Sequence, residues 1–130
     1  MVLLDTHVVI WLAFEPARIS KRARAAIEQA RSGDQGLAIS GITLLEIAAA
    51  ENKGRIKLNA SLETFLSEIE IRFIVLPITG KICARAISLP AAYPKDPADR
   101  VIGATALVEG IPLVTADEQI RRAKALVTIW

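Results

Sequence analysis

The sequence predicts an α/β fold in which a parallel sheet of about five strands is covered by helices on both faces. Short apolar runs alternate with longer helical segments along the 130 residues, which is the element order of βαβ units. The apolar runs lack a polar face, as expected of strands that are buried on both sides. Hydrophobic residues make up 52% of the chain, enough for such a core. A chain of this length is most simply one domain, residues 1–130.

The first half of the chain is predicted to contain two strands and three helices. In order, these are a strand at 2–4, a helix at 6–14, a helix that begins after the N-cap Ser20, a turn at 33–36, a strand at 37–39 and a helix at 43–53. In the helix after Ser20 the apolar positions Ala23, Ala26, Ile27 and Ala30 follow the i, i+3, i+4, i+7 spacing, and Gly54 is suited to the C′ position of the helix at 43–53.

The second half continues the alternation and ends on a strand. Leu62, Phe65, Leu66 and Ile69 mark an amphipathic helix, and a strand at 73–78 is apolar and rich in β-branched residues. The remaining predicted elements are a helix from Thr79 to Leu89, a proline-rich connection, a helix at 98–109 stopped by Gly110, a strand at 113–115, a helix at 117–123 and a strand at 126–129.

Overall charge says little about partners, because 16 basic and 14 acidic residues leave a net charge of +2. Two clusters of basic residues, at 18–31 and 53–57, are typical either of a solvated face or of a rim that binds a polyanion. The single cysteine, Cys83, excludes an internal disulfide, and no Cys/His cluster suggests zinc. Without a signal peptide or an apolar run of about 18 residues, we expect a soluble, cytoplasmic protein that does not enter the membrane.

Two acidic residues far apart in the sequence follow predicted strands. Asp5 comes directly after the strand at 2–4, and Asp117 closely follows the strand at 113–115. Because ligands of open parallel sheets bind outside the carboxyl ends of the strands, both side chains are expected at the same edge. Each also has a simpler interpretation as the N-cap of the helix that follows it.

Glu46 is the only charged residue in the stretch GITLLEIAAA, which predicts a helix that is apolar nearly all round and therefore buried. No Lys or Arg lies three or four positions away, so an ionised Glu46 requires a distant partner, and a divalent cation is suitable. Asp96 and Asp99 lie at the start of a later helix, Asp96 as its N-cap and Asp99 in its first turn.

Acidic side chains that converge on one site repel one another. Mg²⁺ or Mn²⁺ removes the repulsion because hard cations take oxygen ligands. Such a site activates water and neutralises charge on a phosphoryl group, so phosphodiester hydrolysis is the expected chemistry. His7, beside Asp5, is interpreted as a packed or partly exposed side chain rather than as a base.

Five stretches of the chain, in this order and spacing, resemble the PIN-domain family, most closely its bacterial toxin ribonucleases of the VapC type. They are LLDTHVVIW, ISGITLLEIA, GRIKL, DPADRVIGATA and LVTADEQI, and they extend from Leu3 to Ile120. The resemblance implies a three-layer αβα fold and an endoribonuclease that depends on Mg²⁺ or Mn²⁺. It also implies a VapB-type antitoxin as partner and a homodimer.

Carried over by position, the family's catalytic and metal-binding acids correspond to Asp5, Glu46, Asp99 and Asp117. A second group of candidates consists of Asp96, which fits the DPxDR form of the motif, Thr6 and Thr115 as hydrogen-bond donors, and Arg100 as a phosphate contact or surface ion pair. The basic residues expected to offset the acidic pocket towards RNA are Arg18, Lys21, Arg22, Lys53 and Arg55. The chain departs from the pattern at Pro94, where relatives often carry a histidine. Whatever that histidine contributes to substrate contact or to loop packing is therefore in question for this chain.

Three other functions compete with this one. A catalytically inert PIN-like module that binds RNA or protein stays open, although retention of the four acids argues against it. A phosphatase of the haloacid-dehalogenase type requires a second Asp where His7 stands. A receiver domain requires its phosphoacceptor Asp after the third strand, where the chain has Pro77, Ile78 and Thr79.

Overall fold

The computed structural model describes all 130 residues of the chain. The strands are β1 (Val2–Leu4), β2 (Leu37–Ser40), β3 (Ile74–Leu76), β4 (Leu113–Val114) and β5 (Thr128–Ile129). The helices are α1 (Thr6–Phe14), α2 (Lys21–Ser32), α3 (Gly41–Asn52), α4 (Leu62–Arg72), α5 (Gly80–Ile87), α6 (Pro97–Glu109) and α7 (Glu118–Ala123), with a short 3₁₀ helix at Pro16–Arg18. The predicted alternation of strands and helices is confirmed.

The five strands form one parallel sheet in the order β3-β2-β1-β4-β5. The order reverses direction at β1, which lies between β2 and β4. In open parallel sheets, the carboxyl ends of the strands around such a reversal form a crevice. The ends of β1, β2 and β4 are therefore the place where side chains distant in sequence are brought together.

Each face of the sheet has its own core. Leu4 of β1 packs on one side with residues of α1 to α4, including Ile27, and its neighbour Leu3 packs on the other side with residues that include Ile102 of α6. All four side chains are nearly or fully buried. This alternation along β1 confirms the predicted sheet with helices on both faces, in three layers.

Every α-helix begins at a polar N-cap whose side chain accepts a backbone N–H. These N-caps are Asp5, Ser20, Ser40, Ser61, Thr79, Asp96 and Asp117. Such caps satisfy backbone donors that have no partner within the helix. The simpler interpretation of Asp5, Asp96 and Asp117 as helix caps is thus confirmed, and any further role must use the oxygen atoms that capping leaves available.

The structure differs from the prediction mainly at the edges of the sheet. The strand predicted at 73–78 is limited to β3, and the strand predicted at 126–129 is limited to β5. Each is an edge strand that pairs with one neighbour only, so its length is set by that pairing. Ile74 of β3 is 43% exposed, so burial on both faces holds for β1, β2 and β4 alone. No helix of the structure has the length and apolar character needed to span a bilayer.

Candidate functional site

Asp5 joins the ends of two neighbouring strands. It follows β1 directly and is 3% exposed. Its Oδ1 accepts the backbone N–H of Thr6 at 2.8 Å, and its Oδ2 accepts the hydroxyl of Thr115, which follows β4, at 2.7 Å. The Thr115 hydroxyl oxygen also accepts the backbone N–H of Asp117 at 3.1 Å. Thr115 therefore fixes the turn that carries Asp117 against Asp5, as the rule for carboxyl ends of strands predicted.

Glu46, on α3, is connected to the start of α1 by hydroxyl groups. The Thr6 hydroxyl donates to Glu46 Oε1 at 2.5 Å and lies 3.0 Å from the hydroxyl oxygen of Thr43. A hydroxyl has one proton to donate, so Thr43 is the donor to Thr6 in this chain of hydrogen bonds. Thr43 is fully buried and was not among the predicted site residues. No ion pair of the structure includes Glu46, and the distant partner expected for its charge stays a prediction.

Asp99 lies in the first turn of α6, and its carboxyl group has the most strongly shifted acidity at the site. Burial, followed by the negative charges of Asp5, Asp96, Asp117 and Glu46, raises its pKa to about 7. Burial and the charges of Asp5 and Asp96 likewise raise the pKa of Glu46 against the opposing hydrogen bond from Thr6. The predicted acids therefore lie close enough to repel one another electrostatically.

The acids do not form a ready-made coordination cage. No three His, Cys, Asp or Glu side chains lie in an arrangement that would hold a metal ion by themselves. Mg²⁺, however, usually keeps several waters and takes only one or two carboxylates directly, so a more widely spaced acidic set still fits it. A bound cation would also remove the electrostatic repulsion at Asp99, which is a second reason why these acids suit a divalent cation.

His7 has a defined place between Asp5 and the turn after β4. Its Nε2 accepts the backbone N–H of Ala116 at 2.9 Å, and its Nδ1 lies 3.6 Å from Asp5 Oδ2. Burial lowers the pKa of His7 more than the charge of Asp5 raises it. An Nε2 that accepts a hydrogen bond carries no proton, so His7 is neutral and protonated on Nδ1. The prediction of a packed, partly exposed side chain holds, with the addition of this specific contact.

Asp5, Glu46 and Asp99 lie in one open groove of about 680 Å³, which we call the acidic groove. Arg18 and Arg55 line it as well, together with Lys57, which was not among the predicted RNA contacts. The other predicted basic residues, Lys21, Arg22 and Lys53, are exposed but lie outside it. Asp117 is linked to the site through Thr115 without lining the groove.

Arg100 takes a different position from the two that were predicted. Its Nη1 donates to the backbone carbonyls of Ala86 and Leu89 at 3.1 and 3.3 Å, and its Nη2 donates to that of Tyr93 at 3.4 Å. It makes no ion pair. Arg100 therefore connects α6 to the end of α5 and the following loop, and its donors are directed to the protein instead of to a phosphate. Pro94, which stands where relatives often carry a histidine, directly follows Tyr93 in the sequence and is buried.

Comparison with known proteins gives one consistent result. The family description "PIN domain" matches residues 2–126 of the chain. Ribonuclease VapC22 of Mycobacterium tuberculosis is 39% identical over 131 residues, covering 99% of this chain and 98% of that protein. The structure of VapBC2 from Rickettsia felis bound to a promoter DNA fragment is similar in fold, with a TM-score of 0.74, 19% identity, and coverage of 98% of this chain and 97% of that one. A toxin–antitoxin complex from Klebsiella pneumoniae has a TM-score of 0.69, 24% identity, and coverage of 98% and 97%.

Proposed function

Because the chain belongs to the PIN domain family, we propose that it is a metal-dependent endoribonuclease that hydrolyses phosphodiester bonds of RNA, the toxin of a toxin–antitoxin pair. The observation that carries the proposal is the acidic groove, where Asp5, Glu46 and Asp99 converge and none of them forms an ion pair with Lys or Arg. In a protein that only bound RNA, this cluster of acids would weaken binding, since carboxylates repel the RNA phosphates. Similarity to Ribonuclease VapC22 over the whole chain supports the same activity.

In the proposed mechanism, Asp5, Asp99 and Asp117 would hold one or two divalent cations, Mg²⁺ or Mn²⁺, directly or through water. When bound, the cation neutralises phosphoryl charge and activates water. Glu46 either completes the ligand set or orients the attacking water, and attack is in line with the leaving oxygen. Thr115 holds the carboxylate of Asp5 in position, as the hydrogen bond at 2.7 Å supports. No side chain acts as nucleophile.

RNA reaches the acids along the acidic groove. Arg18, Arg55 and Lys57 line the same groove as Asp5 and Glu46, and they offset the repulsion that the acids exert on phosphates. Binding should therefore weaken as salt is raised, because each phosphate contact releases counterions. A cytoplasmic location, where RNA is available, is part of the proposal.

We place the antitoxin in an apolar groove of about 780 Å³ between α1 and α4, lined by residues that include Leu12, Phe14, Phe65 and Phe73. Phe14 lines both this groove and the acidic groove. A partner segment that crosses Phe14 would fill the apolar groove and direct a basic side chain towards the acids. A homodimer is proposed as well, and exposed apolar side chains such as Ile87, 84% exposed, are compatible with a buried interface.

The proposal is tested by cleavage of single-stranded RNA by purified protein free of antitoxin, with Mg²⁺, with Mn²⁺ and with a chelator. The Asp5→Asn and Glu46→Gln variants keep side-chain shape and remove a charge, and Glu109→Gln removes an exposed acid at the far end of α6 as a control. We expect both site variants to lose at least about 100-fold in activity, and the control to lose less than twofold. Activity that persists in both site variants and in chelator would contradict the mechanism. An inert module would show no cleavage under any condition.

A further inference from the structure

Arg18 and Trp11 form a stacked pair at the wall of the acidic groove. The guanidinium carbon of Arg18 lies 4.0 Å from the centroid of the Trp11 ring, within the range of a cation–π contact. The centroid of the Trp11 ring also lies 4.9 Å from that of the His7 ring and 5.8 Å from that of the Trp130 ring. The indole therefore has two aromatic rings beside it in addition to the Arg18 guanidinium. We call this pair the Trp11–Arg18 stack.

The charge of Arg18 is already partly balanced. Its Nη1 lies 3.7 Å from Glu15 Oε2, and a phosphate that approached this guanidinium would also approach the Glu15 carboxylate. The Arg18 side chain is nevertheless 54% exposed, and its guanidinium carbon lies over the Trp11 ring. A ligand would therefore approach this guanidinium from the side away from the indole. Planar guanidinium faces stack on aromatic rings, including nucleobases, in a way that a lysine ammonium does not.

The position of the stack relates it to the proposed substrate. Arg18 and Trp11 line the same groove as Asp5, Glu46 and Asp99, so an RNA strand whose backbone reaches the acids passes this wall. A nucleotide next to the hydrolysed bond would have its base at the stack if that base were unpaired. An ordinary Arg–Glu ion pair on the surface would have neither an aromatic ring against the guanidinium nor a position in the same groove as the acids.

We propose that the Trp11–Arg18 stack is a binding subsite for one unpaired nucleobase, which lies on the open face of the Arg18 guanidinium. The inference rests on the proposed function, because it takes RNA as the ligand. Stacking of this kind accepts any base, since every base has an aromatic face. The subsite therefore selects single-stranded segments and contributes affinity without reading sequence.

The test measures binding of a fluorescently labelled single-stranded RNA in the Asp99→Asn background, where slow or absent cleavage lets binding be followed. Arg18→Lys keeps the charge and removes the planar face. Arg85→Lys makes the same exchange at an exposed position on α5, outside the groove, and serves as the matched control. We expect Arg18→Lys to weaken binding on the order of tenfold with an unchanged salt dependence, and Arg85→Lys to change it less than twofold.

A second arm replaces one nucleotide of the RNA at a time by an abasic residue. At one position the loss of the base should weaken binding about tenfold, and in the Arg18→Lys background the same abasic RNA should show less than a twofold further loss. Equal losses in both backgrounds, unchanged binding by Arg18→Lys, or no RNA binding at all would overturn the subsite. Failure of the proposed hydrolysis is seen separately. If the wild-type protein with Mg²⁺ leaves this RNA intact while the coupling is observed, the subsite stands and the nuclease mechanism fails.

Discussion

At the scale of single residues, the electrostatic repulsion among the acids of the site acts on the carboxyl group of Asp99. Its carboxyl group is partly buried among Asp5, Glu46, Asp96 and Asp117, and its pKa is about 7. In the metal-free protein near neutral pH, the protonated and the ionised forms of Asp99 therefore coexist. Protonation and cation binding are alternative ways of relieving the same repulsion, so they should compete.

The stability of the metal-free protein should accordingly depend on Asp99. Because the pKa is raised from 3.8 in the unfolded chain to about 7 in the folded one, the protonated group stabilises the fold at low pH, and this contribution is lost as the pH rises through about 7. Relative to Asp99→Asn, which has no proton to lose, the wild type should lose about 1–2 kcal/mol between about pH 5 and 8, after allowance for solvent screening. Urea denaturation in chelator measures this, and a pH-independent difference would refute it.

His7 should act as a positioning residue for the turn that carries Asp117, because its Nε2 is the acceptor of the Ala116 N–H. In His7→Gln the side-chain oxygen reaches approximately where Nε2 lies, whereas in His7→Asn the shorter side chain does not. We expect His7→Gln to keep kcat within about threefold, and His7→Asn to lose about tenfold in kcat with KM little changed. Steady-state kinetics on RNA provide the measurement. If the two variants behave alike, the acceptor role of Nε2 is wrong.

The predictable part of the site followed from local context. Glu46 stood out because its own helix offers no Lys or Arg three or four positions away. The hydrogen bonds of Thr43 with Thr6 and of His7 with Ala116 could not be predicted from local sequence. Their partners are separated by 37 and 109 positions of the chain. The three carbonyls that bind Arg100 belong to the end of α5 and the loop after it, and sequence alone did not place them near α6.

At the scale of secondary structure elements, the start of α6 is positioned by Tyr93. The fully buried Tyr93 donates its hydroxyl to the backbone carbonyl of Asp99 at 2.8 Å, and its ring lies against Gly103. Burial raises the pKa of Tyr93 above its usual range, so the phenol remains a donor. The element that supplies Asp99 is therefore held at its first turn by a side chain from the preceding loop.

Gly103→Ala should disturb this contact. A Cβ at position 103 would lie 2.3 Å from the Tyr93 hydroxyl oxygen and 2.7 Å from Cζ, so the ring must move. We expect a loss of about 1–3 kcal/mol in stability in spite of the higher helix propensity of alanine, measured by thermal or urea denaturation. Gly80→Ala, in the first turn of α5 with open space around it, is the control and should be neutral or stabilising by up to about 1 kcal/mol. Equal effects at both positions would exclude the Tyr93 contact as the cause.

The helices were predictable from capping residues such as Ser20 and from apolar spacing such as that of Leu62, Phe65 and Ile69, because both signals are local. The ends of β3 and β5 were not. An apolar run such as 73–78 indicates that a strand is present, but its length depends on how much of the neighbouring strand is available for pairing. That information lies elsewhere in the chain.

At the scale of the whole molecule, the sheet order places the ends of β1 and β4 side by side and gathers acids from distant parts of the chain. A cation that binds this assembled site binds the folded state alone, and so should stabilise it. With Mn²⁺ at about 100 times its dissociation constant, the gain is about 2.7 kcal/mol, which corresponds to roughly 10 °C in Tm. Thermal denaturation should show this shift for wild type and Glu109→Gln, and chelator should reverse it. Asp5→Asn and Glu46→Gln should lose most of it, and a full shift in both would place the cation elsewhere.

The hydrogen bond between Thr115 and Asp5 spans 110 positions of the chain. A ribosome adds Thr115 and Asp117 only after Asp5, Glu46 and Asp99, so the hydroxyl that holds the Asp5 carboxylate and the fourth acid are synthesised last of this set. A chain whose translation is interrupted before Thr115 would hold three of the acids without the assembled site. By this order of synthesis, the nascent polypeptide would be harmless to RNA until that segment has been added.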